Sequence, residues 1–332
     1  MKRGVGLALI GVGAFLLVLA PLLRWYAVPN LAKAPLVPGE NTGGISTIVS
    51  QGTAATLFYP AKLAAGQDPI RHDVPLTNTR TTRGDVDEST SDEAKSKDLA
   101  IYDSIQTLVD DGGTLVNSEQ IRVAFNRVSS ELANCCGANV NGDQVVFEGI
   151  NPVKFGFFLG KQTYPYFDTV LKKAVPIPFV SEETIQGLTV YKFEQTIEPT
   201  QIGEQEVPGS LVGVDAASYK APRFYADVRT VWVEPTIGSI IKGQEVQKQT
   251  LRGPDGTDKT TLIDATIAFN DATVTSNVKD AKEAVGKLNL LKTTIPIVAV
   301  ILGVFALVGG ILLVRRRASD TSTVNLSKSG LS

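Results

Sequence analysis

The sequence predicts an α+β fold, a mainly antiparallel β ectodomain between N- and C-terminal transmembrane helices. Three observations support this prediction. Residues 4–23 and 295–314 are two apolar runs without a charged side chain, and many stretches between them alternate apolar and polar residues. An apolar run of about twenty residues can cross a bilayer as a helix. Alternation with period two is typical of half-buried strands.

The basic residues beside the two runs predict the topology. Lys2 and Arg3 precede the first run, and arginines 315–317 follow the second. Because basic residues favour the cytoplasmic side, we expect a two-pass protein of the cell membrane with both termini in the cytoplasm. The predicted segments are a cytoplasmic N-terminus 1–3, a transmembrane helix 4–23, a β-rich extracytoplasmic domain 24–272, a juxtamembrane amphipathic helix 273–293, a transmembrane helix 295–314 and a cytoplasmic tail 315–332. A cleaved signal peptide is the alternative for the first run.

The second half of the ectodomain predicts an antiparallel meander. Residues 189–197, 224–234 and 239–251 alternate as strands do, and Pro254-Asp255-Gly256 predicts a hairpin turn. In the first half the predicted β segments are less regular, at 47–59, 74–83, 99–109 and 120–128.

Two other segments of the ectodomain do not alternate. Residues 85–98 have almost no apolar side chain and predict a solvated loop. That loop lacks the glycine and the terminal glutamate of a helix-loop-helix calcium site, so we expect no metal there. Helix 273–293 is predicted from apolar residues at helical spacing, with Thr275 or Ser276 as its cap.

Glycines within the two spans suggest that the helices pack against each other. Small residues allow close backbone approach, although glycine is also simply common in membrane helices. The candidates are Gly4, Gly6, Gly11, Gly13, Gly303, Gly309 and Gly310.

The charge of the ectodomain excludes one class of partner. Residues 25–294 contain 25 Lys+Arg and 33 Asp+Glu, a net charge of −8. An acidic surface disfavours nucleic acid. The expected partners are the lipid bilayer and an envelope lipid or a membrane protein, with the oligomeric state left open.

The two cysteines of the chain are adjacent, Cys135 and Cys136. Thiols outside the cytoplasmic membrane tend to be oxidised, and the neighbouring asparagines and glycines suggest a turn that tolerates unusual dihedral angles. A vicinal disulfide that makes this turn rigid is therefore a candidate. A bridge to another chain, soft-metal binding and redox signalling are the alternatives.

The segment FGFFLG, residues 155–160, carries three candidate apolar contacts, Phe155, Phe157 and Phe158. Burying one large apolar side chain gains about 1.5 to 3 kcal/mol. These rings are therefore expected to face a core, a ligand cavity or a lipid surface.

Several of these segments together support a resemblance. The sequences KQTYPYFD at 161–168, FVSEETIQGLTVYKFE at 179–194 and RTVWVEPTIGSIIKGQEVQKQTL at 229–251, with Cys-Cys-Gly at 135–137 and the two spans, resemble the actinobacterial PorA family, a domain of unknown function. The resemblance covers nearly the whole chain and implies a two-pass cell-envelope protein. Two apolar helices cannot enclose a pore alone, so a channel would need oligomers.

The residues give little support to catalysis. The chain has one histidine, His72, and no recognisable nucleophile, phosphate-binding or zinc motif. We therefore expect a protein that is not an enzyme and needs no cofactor, and that binds or passes on an apolar, lipid-like envelope component. The alternatives are an envelope scaffold and an oligomeric, porin-like channel component.

Overall fold

The computed structural model describes residues 2–39 and 43–315, which divide into two compact units. One unit contains the chain up to Lys33 and from Glu283 onward, and the other contains Ala34–Lys282. Met1 of the predicted N-terminal segment and residues 316–332 of the predicted tail lie outside the described residues. The α+β prediction is confirmed, because a large antiparallel sheet stands between two long apolar helices in the chain.

Seven α-helices occur in the described part of the chain. Their bounds are α1 Lys2–Leu22, α2 Val28–Leu31, α3 Pro60–Ala64, α4 Val86–Ser89, α5 Asp92–Ser96, α6 Asp271–Asn289 and α7 Ile295–Arg315. A single π-helical turn, Leu23–Ala27, joins α1 to α2, and another, Leu290–Thr294, joins α6 to α7. Helices α1 and α7 belong to the two helical stretches that are long and apolar enough to cross a membrane, Gly4–Leu31 and Asp271–Arg315.

Four glycines bring α1 and α7 into close contact. A Cβ atom on Gly13 would lie 2.7 Å from the carbonyl oxygen of Gly303, and one on Gly310 would lie 2.7 Å from that of Gly6. In each helix the two contact glycines are seven residues apart, which places them on one face.

Three of the seven candidate glycines do not take part in this contact. A Cβ atom on Gly4, Gly11 or Gly309 would meet no atom within 4 Å. These positions are turned away from the contact face because they are not in register with its heptad spacing.

Thirteen strands occur among the described residues. Their bounds are β1 Ile45–Phe58, β2 Ile70–Gly84, β3 Leu99–Asp110, β4 Leu115–Asn126, β5 Leu132–Ala133, β6 Asn139–Val140, β7 Tyr164–Asp168, β8 Lys173–Ile177, β9 Phe179–Ile185, β10 Leu188–Val207, β11 Tyr219–Val233, β12 Ile240–Arg252 and β13 Asp258–Phe269. Eleven of them form one sheet in the order β5-β4-β3-β2-β1-β13-β12-β11-β10-β9, with β6 paired to β4. Strands β7 and β8 form a separate hairpin.

The sheet consists of two meanders, β1–β4 and β9–β13, joined where β1 pairs with β13. The predicted meander in the second half is confirmed, including the hairpin turn at Pro254-Asp255-Gly256. Strand β10 continues past residue 197, where the predicted strand ends, and through Pro199, because a register shift between Ile197 and Thr200 accommodates the proline.

The prediction of a solvated loop at residues 85–98 was wrong. The segment contains α4 and α5, whose first turns are capped by the side chains of Asp85 and Ser91. These side chains accept hydrogen bonds from backbone N–H groups that would otherwise lack partners. Ala94, fully buried against β3 and β4, anchors the segment.

Helix α6 begins at Asp271, ahead of both predicted cap residues. Asn270 is the residue before the helix, and its side-chain oxygen accepts a hydrogen bond from the N–H of Thr273 at 2.8 Å. Asn270 therefore has the capping role that the sequence pattern gave to Thr275 or Ser276.

The segment between the two meanders fills the domain. Phe167 of β7 packs in a cluster with Phe125 and Phe147, while its neighbour Tyr166 packs in a second cluster with Phe155 and Phe193. Because adjacent residues of a strand point to opposite sides, the β7–β8 hairpin connects these two parts of the core.

Candidate functional site

The β-rich domain carries an open groove of about 640 Å³. We call it the Phe157 groove, and it is lined by Ser129, Glu131, Leu132, Gly149, Ile150, Gly156, Phe157, Leu159, Gln162, Thr163, Tyr164 and Pro165. Its volume lies within the roughly 300–1,000 Å³ that is usual for small-molecule sites. The groove can therefore hold a ligand much larger than water.

Backbone hydrogen bonds fix the FGFFLG segment that forms one wall of the groove. The N–H of Phe157 donates to the carbonyl of Val128 at 2.9 Å, and the N–H of Leu159 donates to the carbonyl of Pro235 at 2.7 Å. The segment is thus held between the β4–β5 turn and the β11–β12 turn. This arrangement keeps the Phe157 ring at the groove.

Two glycines make this close backbone packing feasible. A Cβ atom on Gly156 would lie 2.6 Å from the carbonyl oxygen of Ser129. Gly238 has a φ angle of +69°, and a Cβ atom there would collide with the carbonyl oxygens of Phe155 and Gly156. Both positions require glycine because any side chain would force apart the backbone segments that form the wall.

The side chain of Lys154 contacts the Phe157 ring. Its ammonium lies 4.2 Å from the centre of the Phe157 ring and donates hydrogen bonds to the carbonyl oxygens of Phe155 and Ile237. A cation over a ring face is attracted by the ring quadrupole. Burial lowers the pKa of Lys154 to about 7, and the nearby carboxylate of Glu234 opposes that shift.

The structure places the three predicted phenylalanines in three environments. Phe155 is fully buried and stacks on Phe193 with ring centres 5.3 Å apart. Phe157 is half-buried in the groove wall, and Phe158 is 43% exposed at a φ angle of +55°. Phe157 is the one of the three that lines the groove.

The cysteine pair lies apart from the residues that line the groove. The Sγ atoms of Cys135 and Cys136 are joined, with Cα atoms 3.8 Å apart, and both residues pack partly buried against Ala94, Leu99, Ile101 and Ala124. Arg122 donates to the carbonyl of Cys136 at 2.9 Å and forms ion pairs with Asp85 and Asp103. The pair therefore closes a turn that is fixed to β3 and β4. Its oxidation in the living cell stays a prediction.

The domain contains a buried charged cluster that the sequence did not predict, which we call the Arg229 network. Arg229 contacts Asp168 at 3.0 Å, Asp227 at 3.3 Å, Glu245 at 2.9 Å and the side-chain oxygen of Gln195 at 2.9 Å. Gln195, Arg229 and Glu245 are direct cross-strand partners on β10, β11 and β12. The pairing register brings them together.

The network raises the pKa of one member strongly. Burial, together with the negative charges of Glu245 and Asp168, raises the pKa of Asp227 to about 8 despite the opposing effect of Arg229. Such a shift can indicate catalysis, but it also occurs in structural ion-pair networks.

The space beside the network is small. Two cavities of about 40 and 70 Å³ adjoin it, and residues lining both include Asn78, Arg80, Gln106 and Tyr166. Such volumes hold a few water molecules and fall well below those of substrate pockets. The geometry therefore supports a structural role for the network, which joins three strands to the β7–β8 hairpin.

No group of three or more histidine, cysteine, aspartate or glutamate side chains that could hold a metal ion occurs among residues 2–39 and 43–315. His72, for which the sequence suggests no catalytic role, is exposed on β2, and its Nδ1 atom lies 3.1 Å from the hydroxyl of Thr56.

A β-rich domain inserted between two apolar helices, with an open groove on the domain, defines a class of membrane protein. The chain belongs to the family described as Porin PorA, whose family model matches residues 5–312. This family makes the chain a membrane protein of the cell envelope.

Two relatives carry the name of the family. The chain is 26% identical to Porin PorA of Corynebacterium resistens, over 96% of this chain and 98% of the relative. It is 27% identical to Porin PorA of Corynebacterium amycolatum, over 74% and 77% of the two chains. Among solved structures, a Bacteroides fragilis protein with a YmcC-like fold aligns over 67% of this chain and 93% of its own, at 10% identity and a TM-score of 0.20. Likeness at that score supports no conclusion.

Proposed function

We propose that this protein holds an apolar, lipid-like envelope component in the Phe157 groove and passes it on without changing it chemically. The β-rich domain lies outside the cytoplasmic membrane in this proposal, with both chain termini in the cytoplasm. The observation that carries it is the groove itself, about 640 Å³ in volume and walled by Phe157, Leu159 and Ile150.

The position of Phe157 supports a role in ligand binding rather than only in the packing of the core. Phe157 is held half-buried at the groove by backbone hydrogen bonds and by the Lys154 ammonium. A hydrophobic side chain fixed at the surface of a cleft gains free energy when a ligand covers it. Fixing the ring in advance also lowers the entropy cost of binding.

We propose that the protein does not catalyse a reaction on the bound component. The pKa of Asp227 in the Arg229 network is raised to about 8, but the neighbouring cavities of about 40 and 70 Å³ are too small for a substrate. Lys154, near the groove, uses its ammonium to bind two carbonyl oxygens.

The name of the relatives, Porin PorA, suggests the alternative of an oligomeric channel component. A water-filled channel needs polar groups along its wall. Residues 4–23 and 295–314 contain no polar or charged side chain. The two spans therefore favour an anchoring role over a channel lining.

The proposal is tested by lipid extraction and mass spectrometry of the full-length protein purified in mild detergent. Replacing Phe157 by serine removes the largest apolar side chain of the wall. We therefore expect the amount of lipid that copurifies with the protein to fall by about tenfold or more relative to the wild type. Phe158→Ser is the matched control, because Phe158 is adjacent, equally large and does not line the groove.

Cooperative melting of each variant establishes that the domain is folded. Equal amounts of the same lipids in the wild type and in folded Phe157→Ser would refute binding in the groove. Steady ion conductance by purified wild-type protein in planar bilayers would support the channel instead.

A further inference from the structure

We infer that the Phe157 groove selects an amphiphile whose head group is uncharged and rich in hydroxyl groups, as in a glycolipid. This inference rests on the proposed function and adds the class of ligand.

The groove has an apolar side and a polar side. Ile150 and Leu159 are buried and belong to the same core cluster, and with Phe157 they form the apolar wall. The polar lining residues Ser129, Glu131, Gln162 and Thr163 are exposed. An amphiphile fits such a site with its chain against the apolar wall and its head group at the exposed side.

Hydroxyl and amide side chains can both donate and accept hydrogen bonds, and so can the hydroxyl groups of a sugar. Thr163 and Gln162 supply these groups at the exposed side of the groove, whereas the hydroxyl of Ser129 already donates to Asn126 and Glu131. A polyol head group can therefore replace the hydrogen bonds that Thr163 and Gln162 make with water, which keeps the cost of desolvation low.

Charge argues against an anionic head group. Of the twelve described residues that line the groove, Glu131 is the one with a charged side chain. Its carboxylate accepts a hydrogen bond from the hydroxyl of Ser129 at 3.2 Å and is otherwise exposed. A phosphate placed beside it would be repelled.

The two nearby lysines do not reverse this argument. Lys154 directs its ammonium to the carbonyl oxygens of Phe155 and Ile237, behind the Phe157 ring. Lys161 forms an ion pair with Glu182 at 2.9 Å. Neither side chain lines the groove.

The experiment compares two photoreactive probes that share one dodecyl chain with a diazirine and differ in the head group. One is a maltoside and the other is a phosphate. Each is added to the full-length protein in phosphatidylcholine nanodiscs, and the labelled peptides are mapped. We expect the maltoside probe to label peptides containing residues 129–132 and 156–165 about fivefold more than the phosphate probe does.

Glu131→Gln should abolish most of that preference, since glutamine can still accept from Ser129 and removes the charge. Glu198→Gln, at an exposed carboxylate that does not line the groove, should keep the preference.

Equal labelling by both probes, stronger labelling by the phosphate probe, or a preference unchanged in Glu131→Gln would overturn the inference while leaving lipid binding in place. Failure of both probes to label these peptides would refute the proposed function itself.

Discussion

Replacing Gly310 by alanine should weaken the packing of α1 against α7. The added Cβ atom would lie 2.7 Å from the carbonyl oxygen of Gly6, 2.8 Å from Cγ1 of Ile10 and 3.0 Å from its backbone nitrogen. Ordinary contacts of a Cβ atom are about 3.5–4 Å. Because two of the three atoms belong to the backbone, the helices must separate to relieve the overlap.

The size of the effect follows from that overlap. Overpacking of a fitted interface costs about 1–3 kcal/mol, which lowers the ratio of paired to separated helices roughly 5- to 150-fold. Gly309→Ala is the matched control, because a Cβ atom there meets nothing within 4 Å. Both substitutions favour the helix by about the same amount, so that contribution cancels in the comparison.

The pairing is measured by the distance distribution between two spin labels on the full-length protein. The labels are attached to cysteines at Val12 and Val308, which are both exposed on the helices, with Cys135 and Cys136 replaced by serine in every variant. We expect a broad second population in Gly310→Ala alone. A single narrow distribution in both variants, or the same broadening in both, would refute the packing argument.

Three further predictions concern the β-rich domain. Arg229→Leu leaves the buried carboxylates of its network without their cation and should lower the free energy of unfolding by about 3–5 kcal/mol, with a smaller loss at pH 4.5 than at pH 8 in chemical denaturation. The pKa of Lys154 is lower in the folded protein than that of a lysine in the unfolded chain. Its contribution to the free energy of unfolding therefore rises as the pH increases from about 7 to 10.5. Lys154→Met should flatten that part of the plot of unfolding free energy against pH. Alkylation without prior reduction, followed by mass spectrometry, should leave Cys135 and Cys136 unmodified, and modification of both would contradict the disulfide.

Strand positions were largely predictable because most strands alternate apolar and polar residues locally. The order of the sheet was not predictable in the same way. Strand β1 pairs with β13, more than 200 residues away in the sequence, and no local pattern specifies that contact. The helices at residues 86–96 escaped prediction because two capping side chains and Ala94 stabilise them without an apolar stripe.

The Arg229 network was missed for a related reason. Asp227 and Arg229 are two residues apart on β11, which in isolation is typical of a strand face exposed to water. The register of β10, β11 and β12 places Gln195 and Glu245 on either side of Arg229. The β7–β8 hairpin then covers that face and contributes Asp168.

The groove was only partly predictable. The sequence identifies the FGFFLG segment as a candidate because leaving aromatic side chains exposed to water costs free energy. Phe157 does line the groove. The lining residues outside this segment come from three separate stretches, 129–132, 149–150 and 162–165, which no periodicity connects. Long-range backbone hydrogen bonds bring them together.

The central claim, that the β-rich domain holds a lipid, is tested most directly by photo-crosslinking in living cells. Cells producing the full-length protein are fed a fatty acid with a diazirine in its chain, irradiated, and the adducts on the purified protein are mapped. We expect adducts on peptides containing residues 129–132 and 156–165, in addition to those on the two spans, and a selective loss of the adducts on these peptides in Phe157→Ser. Adducts confined to residues 4–23 and 295–314 would contradict the central claim.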